Sequence, residues 1–479
     1  MSLPPNKTKI VATIGPASDS PQMLERLIHG GMDIARVNFS HGSLDDQGGR
    51  IARIRQAEKA TGRPVAILAD LPGPKMRIGR IAPDPVTLAA GDSFTLTTEK
   101  IIGSPLRVST SFMRLPQVVK HGDAISLNDG LVQLAVEAVS GADVHCRVAV
   151  GGELRSGKGI NLPGVDLGIS AFTAHDRTCL EYAIKHGVDA VGQSFVETAD
   201  DVRALREAAA AFGKQPFVIA KIERARAVRN VEEILKAADG IMVARGDLGV
   251  EVPIEEVALL QKELIAKASL FAKPVITATQ MLESMTASRL PTRAEASDVA
   301  NAILDGTDCV MLSAESAIGK FPAEAVGMLS RIATRMESFR AGSEEDSPRE
   351  ISARPRPASA AEAISNVVEH ALQTLPCAAV FVPTRSGTTA RMISRYNPRV
   401  WIVAVTRDPA VSRSLSFSYG VHPVLVDEDP PDWKSFASDW LRANHVPGNI
   451  AILVAGPSPR SPEANHRIEF LVLETASSS

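Results

Sequence analysis

Short apolar runs that end abruptly in charged residues constrain the fold of this chain more than any other feature. Residues 218–220 (VIA) lead into Lys221 and Glu223. Residues 240–243 (GIMV) lead in the same way into a motif that contains Asp247. Runs this short and this apolar are typical of fully buried parallel strands. Because ligands bind at the carboxyl ends of such strands, these charged side chains indicate a binding site.

The two acids in these motifs indicate a metal site. Glu223 and Asp247 lie one strand-helix-strand repeat apart, so they are expected on neighbouring strands that face the same end of a sheet. Two carboxylates suit Mg²⁺, with Mn²⁺ as the alternative, because Mg²⁺ keeps several waters and takes further ligands from substrate phosphate. Gly246 lets backbone N–H groups approach an anion. Taken alone, Lys221 and Glu223 fit a structural ion pair equally well.

Eight strand-helix repeats are predicted, three before and five after a stretch whose residues alternate like antiparallel strands. The NDG sequence at residues 128–130, inside that stretch, is a strong signal for a β-hairpin. We therefore expect an α/β fold with a (β/α)8 TIM barrel over residues 1–73 and 163–340, and an inserted small β-barrel domain over residues 74–162. An open doubly wound sheet is the alternative.

A second α/β domain is predicted over residues 361–479, after a linker at residues 341–360 that is rich in Ser, Pro, Glu and Arg. One loop of this domain joins a strand to a helix N-terminus and carries several hydroxyl groups, as a phosphate-binding loop would. The candidate residues of this loop are Thr384, Ser386, Gly387, Thr388 and Thr389.

Composition argues against several classes of function. The formal net charge is −3 and aromatic residues make up 4% of the chain, which argues against nucleic-acid binding through bulk charge or base stacking. No run approaches the roughly 18 apolar residues of a membrane span, and the N-terminus has no apolar signal core. The four cysteines form no C-x-x-C pair, so we expect neither a zinc site nor disulfides. A cytoplasmic protein fits these observations best.

Polar side chains also follow the other predicted barrel strands. A barrel does not need polar side chains at these positions for its stability. These are Arg36, Asn38, Ser40, Asp70, Ser194 and Thr279. Lys158 lies in the sequence GELRSGKG, which is not a P-loop because Gly159 stands where Ser or Thr would bind magnesium. We interpret Lys158 as a mobile phosphate-binding cation. The sequence contains cations that can bind phosphates and a pair of carboxylates, but no evident nucleophile-base pair. This combination indicates phosphoryl transfer.

Several long motifs resemble those of one enzyme family. They are IARVNFSHG, GPKMRIG, KGINLPG, AKIE, VARGDLGVEVP, TATQMLESM and PTRAEASDVANAILDGTDCVMLSAES. In sequence and order they are similar to the pyruvate kinase family, from about residue 8 to the end of the chain. The resemblance implies transfer of phosphate from phosphoenolpyruvate to ADP, giving pyruvate and ATP. It also implies a homotetramer and control by a phosphorylated metabolite.

The resemblance implies roles for individual residues as well. Glu223 and Asp247 would hold Mg²⁺, Lys221 would neutralise the phosphoryl group in transfer, and Thr279 would orient the water that protonates the enolate. The residues that bind substrate would be Arg36, Ser194, Gly246, Asp247 and Thr279. The residues that bind nucleotide phosphates would be Asn38, His41, Arg77 and Lys158.

The chain departs from the family pattern at residues 70–75. Many members carry DTKGPE where this chain has DLPGPK, and those members need K⁺, held by Asn, Ser, Asp and Thr oxygens. The corresponding residues here are Asn38, Ser40 and Asp70, with Leu71 and Lys75 in place of the threonine and the acid. A fixed ammonium at residue 75 could replace the cation, so we expect activity without K⁺. Arg224 and Arg226 also stand where other polar residues are more common.

Two other functions are compatible with parts of this pattern. A barrel lyase or aldolase would act on an oxaloacetate-like substrate with the same Mg²⁺, but it would not need the nucleotide-binding cations Arg77 and Lys158. A metabolite sensor that retains the fold without catalysis would not need intact Lys221, Glu223, Asp247 and Thr279.

Overall fold

The fold begins with the first half of a parallel barrel. It is described by a computed structural model that covers residues 3–343, 359–456 and 465–473. The first elements are β1 (Lys9–Thr13), α1 (Pro21–Gly30), β2 (Ile34–Asn38), α2 (Leu44–Thr61) and β3 (Ala66–Asp70). All five residues of β1 and of β3 are buried. Such strands have helices on one side and the barrel interior on the other, which explains the apolar runs at residues 10–12 and 66–69.

An all-β domain is inserted after β3. Its elements are β4 (Val86–Leu88), β5 (Ser93–Thr97), β6 (Arg107–Ser109), the short helix α3 (Leu115–Val118), β7 (Ala124–Leu127), β8 (Val132–Ser140), β9 (Asp143–Val150), β10 (Gly152–Leu154) and β11 (Ile160–Asn161). They form a six-stranded sheet in the order β11-β7-β8-β9-β5-β6 and a two-stranded sheet of β10 and β4. The predicted hairpin at residues 128–130 is confirmed, because it joins β7 to β8 and all three residues have positive φ.

The chain then completes the barrel. The elements are α4 (Ala174–Lys185), β12 (Ala190–Gln193), α5 (Ala199–Ala211), β13 (Phe217–Ile222), α6 (Ala225–Arg229), α7 (Val231–Ala237), β14 (Gly240–Ala244), α8 (Arg245–Glu251), α9 (Val257–Leu270), β15 (Val275–Ala278), α10 (Arg293–Leu304), β16 (Cys309–Leu312), α11 (Ala314–Ala317) and α12 (Pro322–Ser343), with 3₁₀ turns at Ile254–Glu256 and Glu283–Thr286. The eight parallel strands close in the order β1-β16-β15-β14-β13-β12-β3-β2. The predicted barrel is therefore confirmed, and the open doubly wound alternative is wrong.

The C-terminal domain is a second α/β unit, as predicted. Its elements are α13 (Ala360–Thr374), β17 (Ala379–Pro383), α14 (Thr388–Ser394), β18 (Trp401–Thr406), α15 (Pro409–Leu415), β19 (Val421–Leu425), α16 (Trp433–Ala443), β20 (Ile450–Ala455) and β21 (Arg467–Val472). They form a sheet in the order β19-β18-β17-β20-β21, in which only β21 is antiparallel to its neighbour. Most of the predicted linker, residues 344–358, lies outside the described residues.

The C-terminal domain covers the amino-terminal end of the barrel. Phe417 is buried among the side chains of the barrel interior, and its ring stacks on Phe217 at a centroid distance of 5.3 Å. The thiol of Cys309 donates to the Phe417 carbonyl at 3.2 Å, and the Tyr419 N–H donates to Asp308 Oδ1 at 2.9 Å. A site for a small molecule is therefore expected at the opposite, carboxyl end, which we call the rim.

Two further observations concern the described part of the chain as a whole. All four cysteines are buried free thiols. None of the helices within residues 3–343, 359–456 and 465–473 has the length and apolar character needed to cross a membrane.

Candidate active site

The ammonium of Lys221 connects three strand ends at the rim. Lys221 lies at the end of β13 and is 9% exposed. Its Nζ donates to Ser194 Oγ at 2.7 Å and lies 2.8 Å from Glu223 Oε1 and 3.2 Å from Asp70 Oδ1. The hydrogen bond to Ser194 and the ion pairs with the two carboxylates together hold the ammonium in place.

Asp70 holds a second cation beside Lys221. Arg36 Nε donates to Asp70 Oδ2 at 2.7 Å, and Arg36 NH1 donates to Thr13 Oγ1 at 2.9 Å. Asp70 is 1% exposed. Burial acts to raise the pKa of this carboxyl, but Lys221 and Arg36 together lower it below its usual value. The ionised Asp70 therefore orders two cations at the rim.

The charges at the rim shift the pKa values of Lys221 and of the predicted metal ligand Glu223. Burial acts to lower the pKa of Lys221, but Asp70 and Glu223 outweigh it and raise this pKa, so the ammonium stays charged. Burial raises the pKa of Glu223 to about 7, with a further upward contribution from Asp247 and an opposing one from Lys221. Glu223 follows β13 and Asp247 follows the neighbouring strand β14, which agrees with this repulsion, and a divalent cation bound by both carboxylates would relieve it.

The oxygen ligands at the rim fit a partly hydrated hard cation. Glu223 Oε2 accepts the Phe195 N–H at 2.7 Å, and each carboxylate oxygen can accept a second partner. Within the described residues, no group of three or more His, Cys, Asp and Glu side chains is arranged to hold a metal ion. A site with two carboxylates suits Mg²⁺, which takes its remaining ligands from water and substrate phosphate.

Two loops at the rim have backbone conformations that are rare outside glycine. Phe195 has φ 56° and Thr279 has φ 69°, which typically costs about 1–3 kcal/mol per residue. In this conformation the Phe195 N–H contacts Glu223, and Thr279 Oγ1 accepts the Gly246 N–H at 2.7 Å. Such outliers concentrate at functional sites, so both loops belong to the candidate site.

Arg245 supports the Thr279 loop, and sequence reasoning did not assign it a role. Its guanidinium donates to Asp298 Oδ1 at 2.7 Å and to the Thr279 carbonyl at 2.8 Å. Asp298 is far along the chain on α10, so the sequence contains no direct signal of this pairing. The only sequence feature that links Arg245 to the site is its position directly before Gly246.

The inserted domain carries the predicted nucleotide-binding cations. Arg77 NH1 donates to the Gly157 carbonyl at 3.0 Å, and the Ile78 N–H donates to the Lys158 carbonyl at 2.9 Å. These contacts place Arg77 and Lys158 on paired segments of the same domain. Within the described chain, the Lys158 ammonium has no hydrogen bond or ion pair.

His41 lies on the barrel side, among several cations. Burial lowers the pKa of its imidazole, and the charges of Lys75, Arg77 and Arg36 lower it further. His41 follows β2, and Asn38 Oδ1 at the end of that strand accepts the Ser40 N–H at 3.0 Å. The region around His41 is therefore positive, as a site for nucleotide phosphates would require.

Lys75 does not contact the other residues of the predicted monovalent-cation site. Its side chain is exposed and, among the residues that the structure describes, makes no hydrogen bond or ion pair. Asp70 is paired with Arg36 and Lys221 instead. Lys75 is nevertheless close enough to act on His41.

The predicted effector loop lies in the C-terminal domain between β17 and α14. The Gly387 N–H donates to Thr384 Oγ1 at 2.9 Å, and the hydroxyls of Ser386 and Thr388 are 2.9 Å apart. Gly387 has φ 78°, a conformation that favours glycine. The loop is thus a tight turn in which Ser386 and Thr388 are exposed and their hydroxyls lie side by side. Thr389 follows in the first turn of α14.

Comparison with known proteins gives one consistent result. Residues 5–326 match the family model for the pyruvate kinase barrel domain, and residues 362–464 match that for the pyruvate kinase alpha/beta domain. The chain is 50% identical over 430 residues to a pyruvate kinase of Thermococcus litoralis, covering 90% of each chain. It is 45% identical to pyruvate kinase 2 of Synechocystis, over 94% of this chain and 77% of the relative.

A solved structure agrees with these relatives. The crystal structure of a pyruvate kinase from Cryptosporidium parvum superposes with a TM-score of 0.88 at 34% identity, covering 98% of this chain and 96% of the other. Fold and comparisons together define a barrel phosphotransferase. The chain belongs to the pyruvate kinase family. That family acts in glycolysis on phosphoenolpyruvate and ADP and generally uses Mg²⁺, and this chain is one of its enzymes.

Proposed function

We propose that this enzyme transfers the phosphoryl group of phosphoenolpyruvate to ADP with Mg²⁺ held by Glu223 and Asp247. The observation that carries the proposal is the position of Lys221. Its buried ammonium contacts Asp70 and Glu223 beside the second carboxylate. A positive charge in this water-poor environment stabilises a phosphoryl group in transfer far more than it would in bulk water.

Each residue of the rim has a separate part in the proposed reaction. Lys221 stabilises negative charge on the phosphoryl oxygens as the bond to the enol oxygen breaks, and Ser194 orients its ammonium. Arg36 binds the anionic substrate, and the Gly246 backbone contributes a donor. Thr279 orients the water that protonates the enolate. When bound, Mg²⁺ would supply further stabilisation of the developing negative charge.

The inserted domain supplies the nucleotide contacts in this proposal. Arg77 and Lys158 bind the phosphates of ADP from the inserted domain, while His41 and Asn38 contact them from the barrel. The positive surroundings of His41 support this arrangement. We also propose the homotetramer, the cytoplasmic location and the domain limits given in the sequence analysis.

A coupled assay for pyruvate tests the proposed reaction. We expect pyruvate from phosphoenolpyruvate only when both ADP and Mg²⁺ are present. Pyruvate formed from oxaloacetate without ADP would favour the lyase alternative, and no turnover with either substrate would favour a sensor.

We further propose that the enzyme does not need K⁺, because Lys75 places a positive charge near His41 where other family members have an acid. In buffer without K⁺ or Na⁺ we expect activity within about twofold of the activity with saturating K⁺. For Lys75→Glu we expect K⁺ to increase activity by at least about tenfold, since the acid would require a cation. Initial rates with and without K⁺ measure both effects.

Lys185, an exposed lysine on α4, gives the matched control for this experiment. Lys185→Glu should remain insensitive to K⁺. A large stimulation of the unmodified enzyme by K⁺ would contradict the proposal.

We propose that the loop at Thr384, Ser386, Gly387, Thr388 and Thr389 binds the phosphate of a sugar monophosphate or a nucleotide effector. For the double change Ser386→Ala and Thr388→Ala, we expect activation by such a metabolite to need at least about tenfold more effector, because two hydroxyl donors are lost. Rates without effector should not change. Activation curves with a panel of sugar phosphates measure this, and an unaltered curve would refute it.

A further inference from the structure

The chain returns from the inserted domain to the barrel through residues 162–166, which we call the return segment. It follows directly after β11 (Ile160–Asn161) and lies four residues beyond Lys158. Because so few residues separate them, the position of the return segment strongly limits where Lys158 can lie relative to the rim.

Arg224 binds the return segment to the barrel. It follows Glu223 directly and is 4% exposed. Its NH2 donates to the Val165 carbonyl at 3.0 Å and to the Leu162 carbonyl at 3.5 Å. The planar guanidinium can therefore hold the return segment with one edge while its Nε binds elsewhere.

The other edge of Arg224 is held by two acids of the barrel. Arg224 Nε lies 3.0 Å from Glu197 Oε1 and 3.8 Å from Glu251 Oε2. Glu197 follows β12, and Glu251 ends α8, the helix that carries Asp247. The same guanidinium thus connects the loop after β12, helix α8 and the return segment.

Arg226 makes a second connection to the same segment. Its NH1 lies 2.7 Å from Asp166 Oδ2 and 3.2 Å from Glu197 Oε2. Glu197 is therefore shared by both arginines. The return segment is held by side chains of the barrel at both of its ends.

Open space lies beside these ion pairs. A cavity of about 240 Å³ is lined by residues that include Pro74, Asp166 and Arg224, so it touches both connections between the barrel and the inserted domain. Leu162 is buried in the apolar core of the inserted domain, and Val165 packs against that core. Apolar packing therefore holds the return segment to the inserted domain, whereas the contacts of Arg224 and Arg226 hold it to the barrel.

We propose that Arg224, assisted by Arg226, is a positioning residue that fixes the inserted domain over the rim so that Lys158 and Arg77 meet the nucleotide. This inference rests on the nucleotide site proposed above. Arg224 is buried against the return segment, Glu197 and Glu251 and is not one of the residues proposed to bind either substrate. Loss of the Arg224 guanidinium should therefore raise the KM for ADP and leave the affinity for phosphoenolpyruvate unchanged.

The main test compares Arg224→Gln with Arg203→Gln, which changes an exposed arginine on α5 that pairs with Asp200. In Arg224→Gln we expect the KM for ADP to rise about tenfold and amide hydrogen exchange in the return segment to become at least about tenfold faster. The affinity for phosphoenolpyruvate should stay within about twofold. Arg203→Gln should change none of these quantities.

A second variant is needed because Arg224→Gln removes the arginine beside the buried acid Glu251 and can fail to fold. Asp166→Asn removes only the exposed ion pair to Arg226, and it should raise the KM for ADP about twofold and accelerate exchange in the same segment. The inference would be overturned if amide hydrogen exchange in the return segment were unchanged both in Asp166→Asn and in folded Arg224→Gln. Equal rises in the KM for ADP and for phosphoenolpyruvate would also overturn it, because they indicate a general structural defect.

A third variant separates this inference from the proposed nucleotide site. Lys158→Ala should raise the KM for ADP without changing exchange in the return segment. An unchanged KM for ADP in Lys158→Ala would refute the proposed nucleotide site. The positioning role of Arg224 is tested separately, by the rate of amide hydrogen exchange in the return segment.

Discussion

Replacing Lys221 by alanine is expected to lower kcat by at least about 10²–10³-fold, while phosphoenolpyruvate still binds. The ammonium lies 2.8 Å from Glu223 and 3.2 Å from Asp70, where it can act on a phosphoryl group held at the metal. Arg36 remains in Lys221→Ala to bind the anionic substrate. Steady-state rates and direct titration with phosphoenolpyruvate measure the two effects separately.

The controls for Lys221→Ala address folding and charge. Removing one partner of a buried ion pair can cost about 3–5 kcal/mol of stability, so the melting temperature of the variant must be measured. Lys185→Ala, which removes a 68%-exposed lysine paired with Glu181, should retain full activity. Near-normal turnover of a folded Lys221→Ala would refute the role of this residue.

Glu223→Gln is expected to weaken Mn²⁺ binding by about 10²–10³-fold in the absence of substrate. Two unit charges about 4 Å apart at an effective dielectric near 20 interact by roughly 4 kcal/mol, and a divalent ion loses such an interaction when one carboxylate is neutralised. Asp247→Asn should have a similar effect. Titration of free Mn²⁺ by electron paramagnetic resonance measures the affinity without any turnover.

The matched control for the metal experiment is Glu255→Gln, which neutralises an exposed acid shortly after α8. Its Mn²⁺ affinity should equal that of the unmodified enzyme. If Glu223 and Asp247 share one ion, each single change should weaken the same single site, and the double variant should bind Mn²⁺ more weakly than either single variant. Two Mn²⁺ sites, each weakened by only one of the two changes, would indicate two separate ions.

The sequence was sufficient to predict the barrel and the central residues of its rim, for a physical reason. A strand buried on both faces contains almost only apolar residues, so the first charged residue marks its end. Lys221, Glu223 and Asp247 are therefore visible in the sequence as breaks in apolar runs. The closed order of the strands could not be deduced, because it depends on which strand pairs with β1.

The supporting side chains of the rim could not be predicted in the same way. Arg245 pairs with Asp298, and Arg224 pairs with Glu251, yet in sequence each of these residues resembles an ordinary charge on a helix or loop. The positive φ of Phe195 also had no signal, since neither glycine nor asparagine marks the position. Such features depend on contacts between distant segments rather than on local sequence.

Diffraction from crystals grown with Mn²⁺ and phosphoenolpyruvate tests the central claim most directly. We expect one anomalous peak at the rim, within coordination distance of a carboxylate oxygen of Glu223 and one of Asp247 at the same time. A peak bound by only one of these residues, or two peaks each held by a different carboxylate, would contradict the account.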